Sequence, residues 1–274
     1  PAENRDTLPI TRTLPLPEKG WEAEVALHPL RQVAVSRQGT SGSSAPAREW
    51  WVRGTFEGHI EEYRTRPEVA GIAPAGRSDL FPPWVMTPSR ETLMVGAERM
   101  DKVGEMRAEI RPSWTSDSLR LEVRIWDKTL MNPRRATHPW EGDAFEVFLE
   151  VREGENLGRP AYETGVFQII VVPPDSLHPQ ATLSVIQPAG LPFARLRFEA
   201  QVHDSKDGWT GIIELAWADL GVENARAGRE LGIEFALDDL DPDDWSHRQM
   251  VWRGTGNNFR DPSVFPRVRL WGGE

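Results

Sequence analysis

The chain contains no cysteine. This absence excludes disulfide bonds, thiolate nucleophiles and sulfur-ligated metal sites, and it fits either a reducing compartment or an exported bacterial protein that avoids thiols. The sequence also lacks a hydrophobic run approaching the ~20 residues of a membrane-spanning helix. Its longest apolar run, Ile169–Val172, ends at Pro173, so we expect no membrane span. The sequence begins Pro-Ala-Glu-Asn, without a basic and apolar leader, so we expect either a mature exported chain or a trimmed one.

Positive charge and tyrosine are also scarce. The 32 basic residues are outnumbered by 42 acidic ones, which gives a net charge of −10. Nucleic-acid-binding proteins concentrate basic residues to displace counterions, so we expect no nucleic-acid partner. Against only 2 tyrosines the chain has 12 tryptophans. Indole rings stack well on sugars and other flat apolar surfaces, although core packing is the commoner use of a tryptophan.

The sequence from Arg107 onwards has the pattern of β-strands. Apolar and charged residues alternate strictly over Leu119–Trp126, which is the period of a strand with one buried face and one wet face. Further short segments of this kind are separated by Gly, Pro and Asp turns, and no helix long enough for a βαβ crossover separates them. These strand predictions are 144–151, 167–172, 181–186, 196–202, 210–215, 233–238, 249–252 and 268–270, and one helical turn is predicted over Trp217–Leu220.

We therefore predict an all-β protein, a two-sheet antiparallel β-sandwich of the jelly-roll type over residues 76–274. Residues 1–75 are predicted to be an N-terminal extension rich in Pro and Gly. Prolines at 9, 15 and 17 prevent a helix there, and residues 39–46 form a small-residue loop. Short strands are predicted within it at 22–27, 31–35 and 50–56.

Sequence motifs for catalysis are missing. The chain contains no nucleophile elbow, HExxH zinc motif, phosphate-binding P-loop or complete GxGxxG. Its six histidines are scattered, and no pair of carboxylates is singled out for glycoside hydrolysis. We therefore predict that the chain is not an enzyme.

An acidic run offers a metal site. Asp239, Asp241 and Asp243 have the spacing of the first three ligands of a calcium loop, but Asp244 and Met250 stand where an EF-hand requires Gly and Glu. Calcium held in another geometry and a solvated acidic turn remain as alternatives.

Several motifs occur in a recognisable order. They are Ser113–Leu119 leading into the 119–126 strand, His138–Phe148, Asp207–Trp217, Leu231–Asp239 and Asn257–Pro262. Together, over about Phe81–Leu270, they resemble the family 9 carbohydrate-binding module. The resemblance implies a sugar held between two aromatic platforms, here Trp140 and Phe259. It also implies that Glu146 and Asn257 bind hydroxyl groups, and it places carboxylates for turns or calcium at Asp117, Asp127 and Asp143.

Three positions depart from the pattern of that family. The second platform is Phe259 instead of the usual Trp, Gln168 stands at the position of an Arg on a strand, and Ala236 stands at the position of an amide side chain. Loss of a charged donor and an amide removes directional hydrogen bonds worth on the order of 2–4 kcal/mol. The resemblance therefore implies the fold more firmly than an unchanged sugar site at Glu146, Gln168 and Asn257.

The function expected from this comparison is non-catalytic binding of a poly- or oligosaccharide by a secreted, extracellular or periplasmic module. Its partners would be carbohydrate and the catalytic domains of a larger glycoside hydrolase, with calcium as the one candidate cofactor. One alternative is a haem-binding electron-transfer subunit of a periplasmic oxidoreductase, with iron ligands from Met86, Met94 or Met106 and Lys102. Another is a structural module whose Trp-rich surface docks a protein partner. For Trp140 itself, the alternative to a platform role is burial of its ring under residues 1–75.

Overall fold

The computed structural model describes residues 10–15, 22–27, 33–37, 50–56, 59–65, 70–77, 80–98, 106–188, 197–203, 207–242, 245 and 247–272. Before residue 70 it describes only the backbone of strands. The predicted loop at 39–46 lies outside the described residues. No described helix is long and apolar enough to cross a membrane.

The chain divides into two compact units, Pro1–Glu68 and Val69–Glu274. In the first unit β1 (Ile10–Pro15) pairs with β2 (Glu22–Leu27) in an antiparallel ladder. The same unit contains an antiparallel sheet of β3 (Val33–Arg37), β4 (Trp50–Phe56) and β5 (His59–Thr65). Three strands of this unit therefore coincide with, or overlap, the segments predicted at 22–27, 31–35 and 50–56.

The second unit is a β-sandwich, which confirms the predicted fold class. We call one layer the front sheet; it contains β8 (Leu93–Val95), β11 (Ala144–Glu150), β12 (Val166–Val172), β13 (Thr182–Gln187), β16 (Glu230–Leu240), β17 (His247–Val251) and β18 (Arg267–Leu270). The other layer, the back sheet, contains β7 (Trp84–Met86), β9 (Arg107–Trp114), β10 (Ser118–Trp126), β14 (Arg197–Val202) and β15 (Gly208–Ala216).

One strand joins the two sheets. β6 (Ala70–Pro74) runs parallel to β18 in the front sheet and parallel to the end of β9 in the back sheet. All other strand pairs of this unit are antiparallel. The antiparallel sandwich that the sequence predicts is thus closed along one side by a parallel strand.

The core lies between the sheets and follows the alternation of the sequence. On β10 the odd-numbered residues Leu119 to Ile125 are buried, while Glu122 and Arg124 face solvent. The inward residues of both sheets form one continuous cluster. Within it Trp84 stacks on Trp252 with ring centroids 4.6 Å apart. These two tryptophans therefore serve packing, the commoner use of that residue.

The strand β9 was missed by the sequence prediction because it contains Pro112. Its neighbour β7 pairs with Ala108–Ile110, and β6 pairs with Ser113 and Trp114. Pro112 falls between these two stretches, where no partner strand requires its missing N–H. The helical turn predicted over Trp217–Leu220 is a hydrogen-bonded turn that ends at Gly221 with φ of 74°.

A glycine at the start of β15 is required by its backbone and its surroundings. Gly208 has φ of 143°, and a Cβ there would lie 1.9 Å from the carbonyl oxygen of Ile125. We expect Gly208→Ala to lower the free energy of unfolding by about 2–3 kcal/mol, because strain and overpacking act together. Gly221→Ala is the matched control, since it has positive φ but open space around it. In urea denaturation, equal effects of the two substitutions would contradict this explanation.

Candidate functional site

The outer face of the front sheet carries a buried polar group at its centre. On β11 the even-numbered residues Ala144, Glu146 and Phe148 point away from the core. Glu146 lies opposite Ile170 of β12 and Ala236 of β16. It is only 2% exposed, so it is buried although it points away from the core.

The carboxylate of Glu146 binds two amide side chains. Its Oε2 accepts a hydrogen bond from Gln168 Nε2 at 2.6 Å, and its Oε1 accepts one from Gln249 Nε2 at 3.0 Å. The same Gln249 nitrogen lies 3.0 Å from Asp238 Oδ1, which also contacts His247 Nε2 at 3.1 Å. Glu146 therefore fixes the orientation of two amides at once, because each of its oxygens accepts a hydrogen bond and only the nitrogen end of a glutamine amide can donate one.

Burial governs the charge of this group. Burial, followed by the neighbouring charge of Asp238, raises the pKa of Glu146 well above its usual range. Burial likewise raises the pKa of Asp238 to about 8. Two buried carboxyl groups that share one amide donor disfavour the ionised form of each other.

The loop before β11 holds Trp140 against this face. Trp140 lies in the 3-10 helix Pro139–Glu141, and Asn132 Nδ2 donates to Pro139 O at 2.7 Å. The half-buried indole packs on a small cluster formed by Ala144, Ile170, Val172 and Ile186. The ring is thus fixed on the same face as Glu146, and the part of it that packs on this cluster is buried.

The loop after β17 is pinned by a second buried carboxylate, that of Glu234. Its oxygens accept the backbone N–H of Trp252 at 2.8 Å and that of Arg253 at 3.0 Å. Further along, Asn258 Oδ1 accepts the N–H of Thr255 at 3.1 Å, and Tyr162 donates its hydroxyl to Asn258 O. These bonds give residues 252–258 a defined path.

This pinned loop carries Phe259 to the same face. Phe259 is 41% exposed, and the guanidinium of Arg260 lies 4.7 Å from its ring centroid. Gln187 Nε2 lies 3.1 Å from Phe259 O and 3.3 Å from Gln168 Oε1. A chain of amide contacts therefore connects the Phe259 loop to Glu146.

The structure brings together most of the residues that the sequence singled out. Trp140, Glu146 and Gln168 share the outer face of the front sheet, and Phe259 is joined to them through Gln187. Asn257 lies exposed on the same loop, with its backbone oxygen accepting from Arg260 and Asp261 at 2.9 Å each. Its role in binding hydroxyl groups stays a prediction.

Sequence reasoning missed several members of this site. Gln187 and Gln249 belong to no recognisable sequence motif, so nothing in the sequence marked them as site residues. Ala236 has Gln249 as a diagonal neighbour on the same face, since Gln249 pairs with Asp238. An amide thus reaches Glu146 from the adjacent strand, although the position of Ala236 lacks one. Glu234 could have been suspected only as a charged residue within the apolar run of β16.

A separate acidic group joins three segments of the chain. One carboxylate oxygen from each of Asp127, Asp143 and Asp239 lies within 4.8 Å of the others, and all three residues are buried. Asp239 therefore belongs with two distant aspartates, rather than only with its sequence neighbours in a calcium-type loop. Asp241 meets Asp239 at Arg248, whose Nη1 lies 2.9 Å and 2.8 Å from the two carboxylates. Asp243 lies outside the described residues.

Ionisation of this acidic group is costly. Burial raises the pKa of Asp127 to about 7, with a further contribution from the charge of Asp239. Burial and then the charge of Asp127 raise the pKa of Asp143 well above its usual range, and burial raises that of Asp239. Hard oxygen donors gathered at this spacing match the preference of Ca²⁺.

The three methionines considered as haem ligands do not lie together: two are in the core and one is on the outer face of the front sheet. Met86 and Met106 are buried in the apolar core between the sheets, and Met94 packs beside Phe148 on the outer face. Lys102 lies outside the described residues.

Comparison with known proteins agrees with this architecture. The family described as carbohydrate family 9 binding domain-like matches residues 84–273. A solved carbohydrate binding module family 9 from Caldicellulosiruptor kristjanssonii, in complex with cellotriose, has a TM-score of 0.53 and 16% identity, covering 77% of this chain and 92% of that one. The same description, in complex with glucose, applies to a structure with a TM-score of 0.51 and 17% identity, covering 77% and 94%. A search of curated proteins finds no match.

The fold and this family match define a non-catalytic carbohydrate-binding β-sandwich. More particularly, the chain belongs to the carbohydrate family 9 binding domain-like family.

Proposed function

We propose that the chain binds a glucose-containing oligosaccharide on the outer face of the front sheet, above Glu146 and between Trp140 and Phe259. The observation that carries this proposal is the position of Glu146. On one side it adjoins the cluster that packs Trp140, and on the other it is joined through Gln168 and Gln187 to the Phe259 loop. The complexes of the similar modules with cellotriose and glucose support the choice of sugar.

The chemistry of this arrangement suits a sugar ring. An aromatic face packs against the axial C–H groups of a pyranose, while amides and carboxylates pair with its hydroxyls. Because Glu146 binds the nitrogen ends of Gln168 and Gln249, their oxygen ends are oriented away from it. In the proposed complex Gln249 supplies the amide that the position of Ala236 lacks, and Gln168 replaces the Arg expected there with an uncharged donor and acceptor.

Isothermal titration calorimetry tests this proposal directly. Cello-oligosaccharides and xylo-oligosaccharides of matched length are titrated into the whole chain at neutral pH. We expect saturable heat with the cello series and weaker heat with the xylo series, because xylose lacks the C6 hydroxymethyl group. Absence of heat with either series, and with a broad glycan array, would overturn the proposal.

Glu146→Gln separates the orienting role of Glu146 from its bulk. The substitution leaves one side-chain oxygen to serve two amide donors, so Gln168 or Gln249 must turn. We expect the affinity for cellotriose to fall about 10-fold, equivalent to about 1.4 kcal/mol and within the usual cost of one lost directional hydrogen bond. Glu122→Gln, on the exposed outer face of β10, is the control. Unchanged affinity in Glu146→Gln, at unchanged melting temperature, would exclude the orienting role.

We further propose that Asp127, Asp143 and Asp239 bind calcium. The residues fit the ion, because three buried carboxylate oxygens converge, and the positive charge of Arg248 contacts Asp239 alone among the three described aspartates. Burial makes the negative charge of these carboxylates costly, and a bound Ca²⁺ would offset it with positive charge. Asp143 also accepts the N–H groups of Met131 and Leu240, so an ordered Asp143 fixes the segment before the Trp140 loop.

We also propose that the chain acts outside the cytoplasm as an accessory module beside the catalytic domain of a glycoside hydrolase. Its lack of cysteine and its carbohydrate-binding family support this setting. Cell fractionation of the native host is the test, with the protein expected in the periplasm or the medium. Recovery in the cytoplasm alone would contradict it.

A further inference from the structure

The back sheet has an open groove on its outer face that the proposed sugar site does not use. The groove encloses about 600 Å³ and crosses β9, β10, β15 and β14. Adjacent strands lie about 4.8 Å apart, so four strands give a groove about 14 Å wide across the sheet. Its lining mixes apolar and charged residues, and the charged ones are Glu109, Arg111, Glu122, Arg124 and Glu199.

Two glutamates of this groove have ion-pair partners, whereas two of its arginines have none among the described residues. Glu109 is paired with Arg107, and Glu122 is paired with Arg120 at 3.2 Å. Both pairs join residues two apart on one strand, although Arg124 lies directly opposite Glu109 and Arg111 directly opposite Glu122. Among the described residues Arg111 therefore has no carboxylate partner, and Arg124 has only an aromatic one.

The guanidinium of Arg124 is held in place by that aromatic partner. It lies 4.7 Å from the centroid of the Trp126 ring, which Arg107 also contacts at 4.6 Å. Arg111 and Arg124 are diagonal neighbours on β9 and β10, a relation that places such residues about 7–8 Å apart. Both arginines therefore line the groove, and their diagonal spacing on neighbouring strands is short enough for one ligand carboxylate to be reached by both side chains.

We propose that this groove is a second glycan-binding site that recognises a uronic acid unit, with Arg111 and Arg124 binding its carboxylate. Arg binds carboxylates with paired parallel hydrogen bonds, which gives both charge and geometric selectivity. Across the groove, Thr210 and Glu199 are placed to bind the hydroxyls of the sugar chain. This proposal does not depend on the site at Trp140, because the two lie on different sheets.

The test uses a background in which the first site is disabled. Into the full chain carrying Trp140→Ala and Phe259→Ala, a xylo-oligosaccharide bearing one glucuronic acid is titrated, and in parallel the same oligosaccharide without the acid. We expect binding of the acidic ligand only, at least 10-fold weaker after Arg111→Gln with Arg124→Gln, and weaker at 500 mM than at 50 mM salt, because exposed charge pairs are screened. Arg90→Gln, an exposed arginine outside the groove, is the matched control and should bind as the background does.

A second measurement uses the single substitution Arg111→Gln. The side chain of Arg111 is exposed, so its replacement should have little effect on folding. An intermediate loss of affinity at an unchanged melting temperature supports the proposal. Absence of binding in the background chain, equal binding of the neutral oligosaccharide, or arginine variants that bind like the background would each overturn it. A failure of cellotriose to bind the native chain leaves this experiment unaffected, so the two proposals fail separately.

Discussion

We expect Trp140→Ala to remove measurable binding of cellotriose from the native chain while the sandwich stays folded. In the proposed complex the indole contributes an aromatic face to the sugar from a loop fixed by Asn132, and a methyl group cannot replace that face. Losing a stacking ring at the centre of a binding site costs about 2–4 kcal/mol, enough to take a micromolar site out of the calorimetric range. Calorimetry with the variant and the native chain at equal concentration measures this loss.

The control for this prediction is Trp271→Ala. Trp271 is 46% exposed and follows β18, which pairs with the Glu230 end of β16, whereas the Trp140 loop precedes Ala144 at the Asp238 end. Its removal alters surface aromatic content away from the front-sheet site, so binding should persist. Because Trp140 is half-buried, some loss of stability is expected, and near-ultraviolet circular dichroism must show an intact fold. A folded Trp140→Ala chain that binds cellotriose like the native protein would show that the sugar lies elsewhere.

We expect that removing calcium from the proposed site will lower the melting temperature of the chain substantially. An ion that binds only the folded state at 1,000 times its dissociation constant stabilises that state by about 4 kcal/mol. Differential scanning calorimetry with excess calcium, and again with a chelator, measures the difference. Asp143→Asn should abolish most of the calcium response, because it removes one of three clustered carboxylates.

The response to pH follows from the raised pKa of Asp127. Its folded pKa of about 7 exceeds the ordinary value of 3.8, so without calcium the folded chain binds this proton more tightly than the unfolded chain. The free energy of unfolding of the chelated protein therefore falls as pH rises from about 4 to 7. Protons compete with the ion, so the calcium response grows over the same range. The control for Asp143→Asn is Asp117→Asn, at an exposed turn, which should leave the calcium response unchanged. A calcium response that is absent, or unchanged in Asp143→Asn, would exclude the proposed ion site.

Two kinds of strand could be predicted from local patterns. β10 has one wet face, so the alternation of Leu119–Trp126 reveals it directly. β12 is buried at every position, and it was predicted from its apolar run, which ends at Pro173. Strands with a different environment were harder to predict. β6 is buried between two parallel neighbours, and β9 contains Pro112 at a point where no partner requires its N–H. Local patterns do not report which strands pair.

The site was predictable only where a motif or a loop marked it. Trp140 follows Pro139, and Glu146 interrupts an apolar strand, so both are visible in the sequence. The amide contacts of Gln187 and Gln249 depend on strand register, which sequence spacing does not give. The acidic group illustrates the same limit. Asp239, Asp241 and Asp243 have a calcium-like spacing, yet Asp239 meets Asp127 and Asp143 from distant segments.

A crystal structure of the native chain grown with cellotriose tests the central claim most directly. We predict electron density for the sugar over the outer face of the front sheet, with one ring on Trp140, a contact to Phe259, and hydroxyls bonded to Gln168, Gln187 or Gln249. Density for the sugar at another surface of the protein, with this face unchanged and empty at saturating ligand, would contradict the account.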